Sequence, residues 1–161
     1  LILTGVGSFD TGIGNLTSSG LQDVIQRKVI DEKAPVLGIC LGMQLMGSLS
    51  EEGILEGLNW IDASAVRFDS SMVRTPHMSW NYLKFTKESR LFYGFDAEPR
   101  FYFAHSYYLV AGNSAIVSAT SDYGGEFVAA IEQDNIAGVQ FHPEKSHKFG
   151  MKLLRNFSNN Y

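Results

Sequence analysis

The spacing of apolar residues in the first part of the chain predicts alternating strands and helices. Residues 1–3 are apolar and are typical of the end of a buried strand. The segment TGVGSFDTGIGN that follows is so rich in glycine that it predicts a loop leading to a helix. Apolar residues then recur at helical spacing from Leu21 to Val29, which predicts an amphipathic helix over residues 19–33.

A second strand and a second helix follow at once. Pro35 ends the preceding helix, the apolar stretch over residues 35–39 predicts a buried strand, and the residues after Cys40 are good helix formers. The resulting order of strand, loop, helix, strand, turn and helix is typical of an α/β fold with parallel strands.

The rest of the chain has a different character, because aromatic and β-branched stretches succeed one another without a long helical pattern. They predict mostly antiparallel strands at 60–68, 80–85, 100–109, 115–120, 127–131 and 136–141. The segment FVAAIEQDNIAGVQF predicts a hairpin that turns at Asp134 and Asn135. Phe149, Leu153 and Phe157 lie four residues apart, so we expect a final amphipathic helix that closes the domain.

Composition narrows the classes of function without choosing one. The chain has 161 residues, 45% of them apolar, which suits one globular domain with a real core. A net charge of -4 without any run of Lys or Arg disfavours nucleic acid and membrane surfaces as partners. No apolar stretch approaches the roughly 20 residues that span a bilayer. The single cysteine excludes an internal disulfide, so we expect a cytoplasmic protein.

That cysteine, Cys40, lies between Gly38 and Gly42 at the predicted corner from strand to helix. The pattern Gly-Ile-Cys-Leu-Gly matches a nucleophile elbow, in which glycines permit a sharp turn that lifts the nucleophile out of the sheet. We expect the helix N-terminus to lower the pKa of Cys40 from about 8.5. The N–H of Leu41 would point at the oxygen of an attacked carbonyl. The alternative is a buried cysteine that only fills space, so a nearby base has to decide.

Four histidines are candidates for that base: His77, His105, His142 and His147. Only His142 directly follows a short predicted strand, GVQF, and has a carboxylate, Glu144, two residues later. In a Cys-His-carboxylate arrangement the imidazole takes the thiol proton and later returns it to the leaving amine, while the carboxylate fixes the tautomer. An exposed turn is the alternative for the sequence HPE alone, but the elbow earlier in the chain favours catalysis.

The loop Thr4-Gly5-Val6-Gly7 is expected at the same carboxyl edge of the sheet as Cys40, because both follow parallel strands. Its accessible backbone N–H groups would supply the second donor of an oxyanion hole. The alternative is a merely tight or phosphate-binding turn, although the loop has too few glycines and no Lys for a Walker-type site.

Taken together, these segments resemble the class I, or triad-type, glutamine amidotransferases. PVLGICLGMQL is similar to the nucleophile segment of that family, and GVQFHPEKS to its His-Glu segment. Within the class, the chain most resembles the glutaminase subunits of imidazole glycerol phosphate synthase. Segments similar to theirs occur in the same order, namely GVGSFD, SEEG, GLNWIDA, PHMSWN, HSYY and YGGEFVAAI.

The resemblance extends over essentially the whole chain and implies its architecture. We expect one glutamine amidotransferase domain over residues 1–161, without the family's opening strand, helix and second strand. The implied fold is the flavodoxin-like three-layer α/β sandwich of this class, with a mixed central sheet and antiparallel strands in the second half.

The resemblance also implies the chemistry. Cys40 would attack the side-chain amide of L-glutamine, His142 would act as base and acid, and Glu144 would orient His142. A γ-glutamyl thioester would form, ammonia would leave, and water would release glutamate, without a metal or an organic cofactor. The residues that would bind glutamine or its oxyanion are Gly5, Val6, Leu41, Gln44, Ser106 and Tyr107.

A partner is implied as well, because the family passes ammonia through a tunnel to a (β/α)8-barrel cyclase that makes imidazole glycerol phosphate and AICAR in histidine biosynthesis. We expect Trp80, Asn81 and Lys145 at that heterodimer interface, although Trp80 in the core and Lys145 as a solvated charge are the alternatives. Thr4 and Ser79 stand where the family usually has Pro and Gly.

Those differences leave other hypotheses open. One is a paralogous glutaminase that supplies ammonia to an enzyme amidating a surface sugar. Another, less favoured because all three triad residues are present, is a non-catalytic partner-binding domain. A cysteine peptidase or esterase on a related fold is disfavoured by Gln44 and the HSYY segment.

Overall fold

Ten strands and four α-helices make up the part of the chain that the computed structural model describes, residues 1–95 and 98–161. The strands are β1 (Ile2–Gly5), β2 (Val36–Cys40), β3 (Ala63–Arg67), β4 (His77–Tyr82), β5 (Lys84–Phe85), β6 (Arg100–His105), β7 (Tyr107–Ala111), β8 (Val117–Asp122), β9 (Glu126–Gln133) and β10 (Ile136–Val139). The α-helices are α1 (Phe9–Ser18), α2 (Leu21–Gln26), α3 (Leu41–Leu45) and α4 (His147–Asn160). A π-helical turn continues α2 over Arg27–Asp31, and 3-10 turns cover Ser114–Ile116 and Pro143–Lys145.

The main sheet is mixed. Its order is β1-β2-β10-β9-β7-β3, while β8 pairs with β9 and β5 pairs with β8. Strands β1, β2 and β10 run parallel, and the other pairings between the described strands of this sheet are antiparallel. Strands β4 and β6 form a separate antiparallel pair. The α/β class with a mixed sheet and antiparallel strands in the second half is therefore confirmed.

The three parallel strands bring distant parts of the chain to one edge of the sheet. Gly5 pairs with Cys40 at the ends of β1 and β2, and Val139 pairs with Ile39 at the end of β10. The residues that follow each strand therefore meet at a common carboxyl edge, where α/β sheets bind their ligands.

Two apolar clusters lie on opposite faces of the sheet. Successive side chains of a strand point to opposite faces, and Val36 and Leu37 of β2 belong to different clusters. Val36 packs with the α1 and α3 side chains, such as Ile13, whereas Leu37 packs with Leu153 and Phe157 of α4. The sheet is thus covered by helices on both faces, as the layered architecture requires.

Several predicted elements fall where the sequence places them. The helix expected over 19–33 is found as α2 and its π-helical extension, and the predicted strand and helix around Cys40 are β2 and α3. The hairpin turns at Asp134 and Asn135, with Gln133 paired to Ile136. The closing helix is α4, with Leu153 and Phe157 buried.

Two expectations for the beginning of the chain are wrong. Strand β1 is not buried, since Leu1 and Ile2 are more than half exposed at an edge of the sheet. The glycine-rich segment is mostly helix, because α1 begins at Phe9. Gly12 lies within α1, and a Cβ there would come within 3.0 Å of the Leu45 side chain. This glycine permits two helices to approach each other and does not mark a loop.

Within the described ranges, no helix is long and apolar enough to cross a bilayer.

Candidate active site

Cys40 occupies a strained corner between β2 and α3. Its φ of 52° and ψ of −112° are unusual for a residue with a side chain, and such strain is found mostly at functional sites. The flanking glycines are required by close packing. A Cβ at Gly38 would lie 2.7 Å from the Met43 Cα, and one at Gly42 would lie 1.8 Å from the Leu3 carbonyl oxygen. The corner therefore has the sharp, glycine-flanked backbone that a nucleophile elbow requires.

The corner opens onto a cavity of about 310 Å³ at the carboxyl edge of the parallel strands. The cavity brings together most of the residues that the sequence predicts for catalysis and substrate binding. These are Gly5, Val6, Cys40, Leu41, Gln44, Ser106, Tyr107 and His142. The third predicted catalytic residue, Glu144, lines a neighbouring cavity that also contains His142. Segments from four separate parts of the chain thus converge on one site.

His142 is held in one tautomer by Glu144. The two are joined by a 2.8 Å hydrogen bond from His142 Nδ1 to Glu144 Oε1, and because a carboxylate accepts, Nδ1 carries the proton. The main chain is fixed too: His142 N donates to the Tyr102 carbonyl, and Ser146 Oγ donates to the His142 carbonyl. The other ring nitrogen, Nε2, remains available as a base towards the cavity.

The thiol of Cys40 is not yet engaged by that base. Its Sγ donates weakly to the Ala104 carbonyl oxygen at 3.9 Å, and no hydrogen bond joins it to His142 in the described residues. Catalytic hydrogen bonds are often long or absent in a free enzyme and tighten only when substrate is bound. A hydrogen bond between Cys40 and His142 is therefore expected to form when substrate binds.

The expected lowering of the Cys40 pKa is wrong. Burial removes water from the thiolate and, with a smaller contribution from the nearby Glu144 carboxylate, raises the pKa of Cys40 to about 11. The Leu41 N–H, the Gln140 side chain and Lys145 act in the opposite direction without overcoming burial. The dipole of α3, a helix of five residues, does not compensate for lost hydration. Thiolate must therefore form by proton transfer during the reaction.

Gln44 is placed to hold a ligand through its oxygen. It is buried beside the cavity, and its Nε2 donates to the Tyr107 carbonyl oxygen and to Gln140 Oε1, both at 2.9 Å. Both N–H groups are thus used within the protein. The side-chain oxygen is the atom that remains for a donor on a substrate.

Glu52 is a site residue that the sequence reasoning missed. It lines the same cavity, and its Oε2 accepts from the Phe9 N–H at 2.8 Å. The loop that carries it is pinned to α1 as well, because Asp10 accepts from the N–H groups of Ile54 and Leu55. The only signal in the sequence is its place in the segment SEEG, since nothing in the local hydrophobic pattern brings this loop to Cys40.

Gln140 was also missed. Its side chain is fully buried and lies between Gln44 and Cys40, with Nε2 donating to Cys40 Sγ at 3.7 Å. The available signal was a polar residue in the apolar strand segment GVQF, directly before the Phe141-His142 pair. A buried amide in such a position needs hydrogen-bond partners, and here they are site residues.

The other three histidines differ from His142. His77 and His105 form a buried pair, in which His105 Nδ1 donates to the Tyr107 carbonyl at 2.8 Å and His105 Nε2 accepts from His77 Nδ1 at 3.3 Å. Burial lowers the pKa of His77 to about 4 and that of His105 to about 3. His147 stacks on Trp80. Among the described residues only His142 has a carboxylate partner, which favours it as the base.

The three residues predicted at an interface differ in their surroundings. Trp80 is 39% exposed, so it is not a core residue, and Arg100 lies over its ring. Asn81 Nδ2 donates to the Asp122 carbonyl oxygen. Lys145 is exposed and lines the cavity itself. Their contact with a partner stays a prediction.

In residues 1–95 and 98–161, no group of three or more His, Cys, Asp or Glu side chains is arranged to hold a metal ion.

Comparison with known proteins identifies relatives over nearly the whole chain. The family model for glutamine amidotransferase class-I matches residues 1–160. Imidazole glycerol phosphate synthase subunit HisH 2 of Methanococcus maripaludis is 52% identical over 158 residues, which cover 98% of this chain and 78% of that protein. The protein of the same name from Pseudomonas aeruginosa is 48% identical with the same coverage. Subunit HisH of Leptospira interrogans is 44% identical over 162 residues, 79% of its length.

Solved structures show the same fold. A glutamine amidotransferase crystal structure superimposes with a TM-score of 0.71 at 17% identity, covering 98% of this chain and 78% of that one. The glutaminase domain of Trypanosoma brucei CTPS has a TM-score of 0.64 at 17% identity and covers 98% and 70% respectively.

Proposed function

The chain belongs to the class I glutamine amidotransferase family, and from that premise we propose that it is the glutaminase subunit of an imidazole glycerol phosphate synthase. It hydrolyses L-glutamine to glutamate and ammonia, and the ammonia passes to a cyclase partner. The observation that carries the proposal is that Cys40 and His142 open onto one cavity while Glu144 holds His142 Nδ1 at 2.8 Å.

The first half of the reaction forms a thioester. His142 Nε2 takes the proton from the Cys40 thiol, and Sγ attacks the side-chain carbonyl carbon of glutamine. The N–H of Leu41 and those of the Gly5-Val6 loop stabilise the oxyanion. As the C–N bond breaks, the imidazolium returns its proton to the leaving nitrogen, so ammonia departs and the γ-glutamyl thioester remains.

The second half releases glutamate. A water molecule loses a proton to His142 and attacks the thioester, the C–S bond breaks, and the imidazolium returns the proton to sulfur. In both halves Glu144 steadies the imidazolium. This contribution matters because burial raises the pKa of Cys40 to about 11, so proton transfer from the thiol needs a stabilised acceptor.

The cavity also offers groups that match the backbone end of glutamine. The Gln44 oxygen and the Glu52 carboxylate are acceptors suited to an α-ammonium group. Ser106 and Tyr107 also line the cavity. A peptide lacks a free ammonium group at this position, which favours an amino acid over a peptide as the substrate.

The partner is proposed from the relatives, which are named as synthase subunits. We expect a heterodimer with a (β/α)8-barrel cyclase in the cytoplasm, in the histidine pathway. Trp80, Asn81 and Lys145 are the proposed contacts, since Trp80 is partly exposed and Lys145 is exposed beside the cavity.

The test is glutamate release from glutamine, measured for the protein alone and with imidazole glycerol phosphate cyclase and its nucleotide substrate. We expect activity to rise sharply with the cyclase and to vanish in Cys40→Ser. If the cyclase has no effect while a glutamine-like electrophile still labels Cys40, the triad is real and the ammonia goes elsewhere, for example to a sugar-amidating enzyme. Full activity in Cys40→Ser would reject the catalytic role altogether.

A further inference from the structure

Gln140 connects the nucleophile to the residue proposed to hold the substrate. It directly follows β10, its N–H donates to the Ala129 carbonyl oxygen, and its side chain is fully buried. Its Oε1 accepts from Gln44 Nε2 at 2.9 Å, and its Nε2 donates to Cys40 Sγ at 3.7 Å. Both ends of one neutral side chain are therefore used inside the site.

The orientation of this amide is dictated by its neighbours. The Tyr107 carbonyl oxygen can only accept, so the Gln44 amide must present Nε2 to it. The second N–H of Gln44 then points to Gln140, which must present its oxygen. The Gln140 Nε2 is thereby turned towards Cys40, so the group beside the sulfur is a donor.

We propose that Gln140 is a further catalytic residue, whose Nε2–H stabilises the Cys40 thiolate at the moment His142 removes the thiol proton. The inference rests on the proposed function and adds a residue to it. Among the described residues, Gln140 is the one side-chain donor within hydrogen-bonding distance of Cys40 Sγ. A hydrogen bond to the charged form of an acid favours that form.

Gln140 is neutral at every pH. Its effect on the pKa of Cys40 can therefore be separated from the effects of titratable neighbours. The titratable side chains that line the cavities around Cys40 are Glu52, His105, Tyr107, His142, Glu144 and Lys145. The contribution of Gln140 is a constant offset to the acidity of the thiol, and its removal should move the whole titration curve of Cys40 without changing its shape.

The experiment measures the pKa of Cys40 through the pH dependence of iodoacetamide alkylation, which is specific because the chain has one cysteine. Gln140→Met and Gln140→Leu differ in shape, but neither side chain can donate. We expect both to raise the measured pKa by about one unit, which makes alkylation at a fixed pH below the pKa about tenfold slower. Gln133→Leu, a change of the same type in the same hairpin, should leave the curve unchanged.

Glutaminase kinetics provide the second readout. We expect kcat of the Gln140 variants to fall about tenfold in step with the loss of thiolate, with KM for glutamine changed less than about threefold. Folded variants with reduced kcat but an unshifted alkylation curve would overturn the proposal, because Gln140 would then only fill space. A shifted curve in a protein that never hydrolyses glutamine would show the hydrogen bond to Cys40, but it would reject the proposed function and the catalytic role of Gln140 with it.

A measurement on the unaltered protein guards against variants that fail to fold. The side-chain amide NMR signal of Gln140 should shift with pH in parallel with the ultraviolet absorbance of the Cys40 thiolate. An amide signal that does not respond while the thiolate forms would contradict a hydrogen bond between them.

Discussion

Two histidines, His142 and His105, line the same cavity, and each has a side-chain partner. The two pairs differ in charge and in exposure. His142 is paired with the Glu144 carboxylate, whose side chain is 52% exposed, and keeps Nε2 free towards the cavity. His105 also lines the cavity, but its two nitrogens are committed to the Tyr107 carbonyl and to His77. The first pair is open and has a counter-charge, whereas the second is sealed and neutral.

The difference shows what a general base requires beyond its position. Proximity to the cavity is shared by His105 and His142. Only His142 has a carboxylate that stabilises its protonated form, while burial lowers the pKa of His105 to about 3. An imidazole that cannot hold a proton near neutral pH cannot accept one from a thiol, which favours His142 over His105 as the base.

The largest effect is expected from matched asparagine substitutions of the two cavity histidines. The Asn amide nitrogen replaces Nδ1 as a donor in both cases, but the atom equivalent to Nε2 is lost. We expect His142→Asn to lower kcat by about 10³-fold, since a general base contributes about 10²–10⁴-fold. His105→Asn should lower it less than about tenfold, because its donor to Tyr107 is retained. Equal losses in glutamate release would break the comparison.

A smaller effect is expected from Glu144→Gln. The substitution keeps the shape but removes the charge that steadies the imidazolium, so we expect kcat to fall about 100-fold, which is less than for a fully buried triad carboxylate because solvent partly screens this one. Glu126→Gln provides the control, since Glu126 is an exposed carboxylate whose ion pair is with Lys84. If both variants retain wild-type kcat, the carboxylate is not part of the mechanism.

The sealed pair should make the protein sensitive to acid. The folded pKa of His105, about 3, is below its ordinary value of 6.5, so the unfolded chain binds more protons between these values. Its contribution to stability is fully present above pH 6.5 and is lost as the pH falls, by about 1.4 kcal/mol per pH unit. Urea unfolding at several pH values should give a shallower acid slope for His105→Asn than for the wild type. Identical slopes would show that His105 is protonated in the fold.

The smallest effect is expected from His77→Phe. The His77 ring stacks on Tyr123 and Phe103, and its buried Nε2 has no partner within the described residues. Replacement by an apolar ring removes that unsatisfied atom but leaves His105 without its donor, so the free energy of unfolding should change by no more than about 1 kcal/mol. We expect kcat within about threefold of the wild type. A loss of tenfold or more would bring the sealed pair into the mechanism.

The positions of the three proposed triad residues were predictable because their signals are local. Cys40 is set between glycines at the end of an apolar strand, and His142 and Glu144 are two residues apart after another strand, so spacing alone indicates the geometry. Gln140 and Glu52 were not predictable in this way. Their roles depend on which loop or strand end comes to lie beside Cys40, and that is decided by tertiary packing.

Three other predictions from the sequence are wrong because burial and packing depend on distant parts of the chain. The acidity of Cys40 was judged from its place at a helix start, but the surrounding side chains exclude water, and desolvation outweighs the helix. Similarly, the apolar residues of β1 predict a buried strand, yet β1 lies at an edge of the sheet. The glycines of α1 suggested a loop, although Gly12 serves helix packing. In each case the local pattern is present, but the residues that pack around it, or the lack of them, determine its effect.

The strand order also determines when the site can form during synthesis. The site is built around β2, whose neighbours are β1 and β10, and β10 lies about a hundred residues further along the chain, directly before His142. A ribosome-bound chain that ends before β10 carries the nucleophile on a strand with one open edge and has no base. Non-local pairing of this kind is slow to form. Cys40 and His142 can therefore line the same cavity only after β10 has paired with β2.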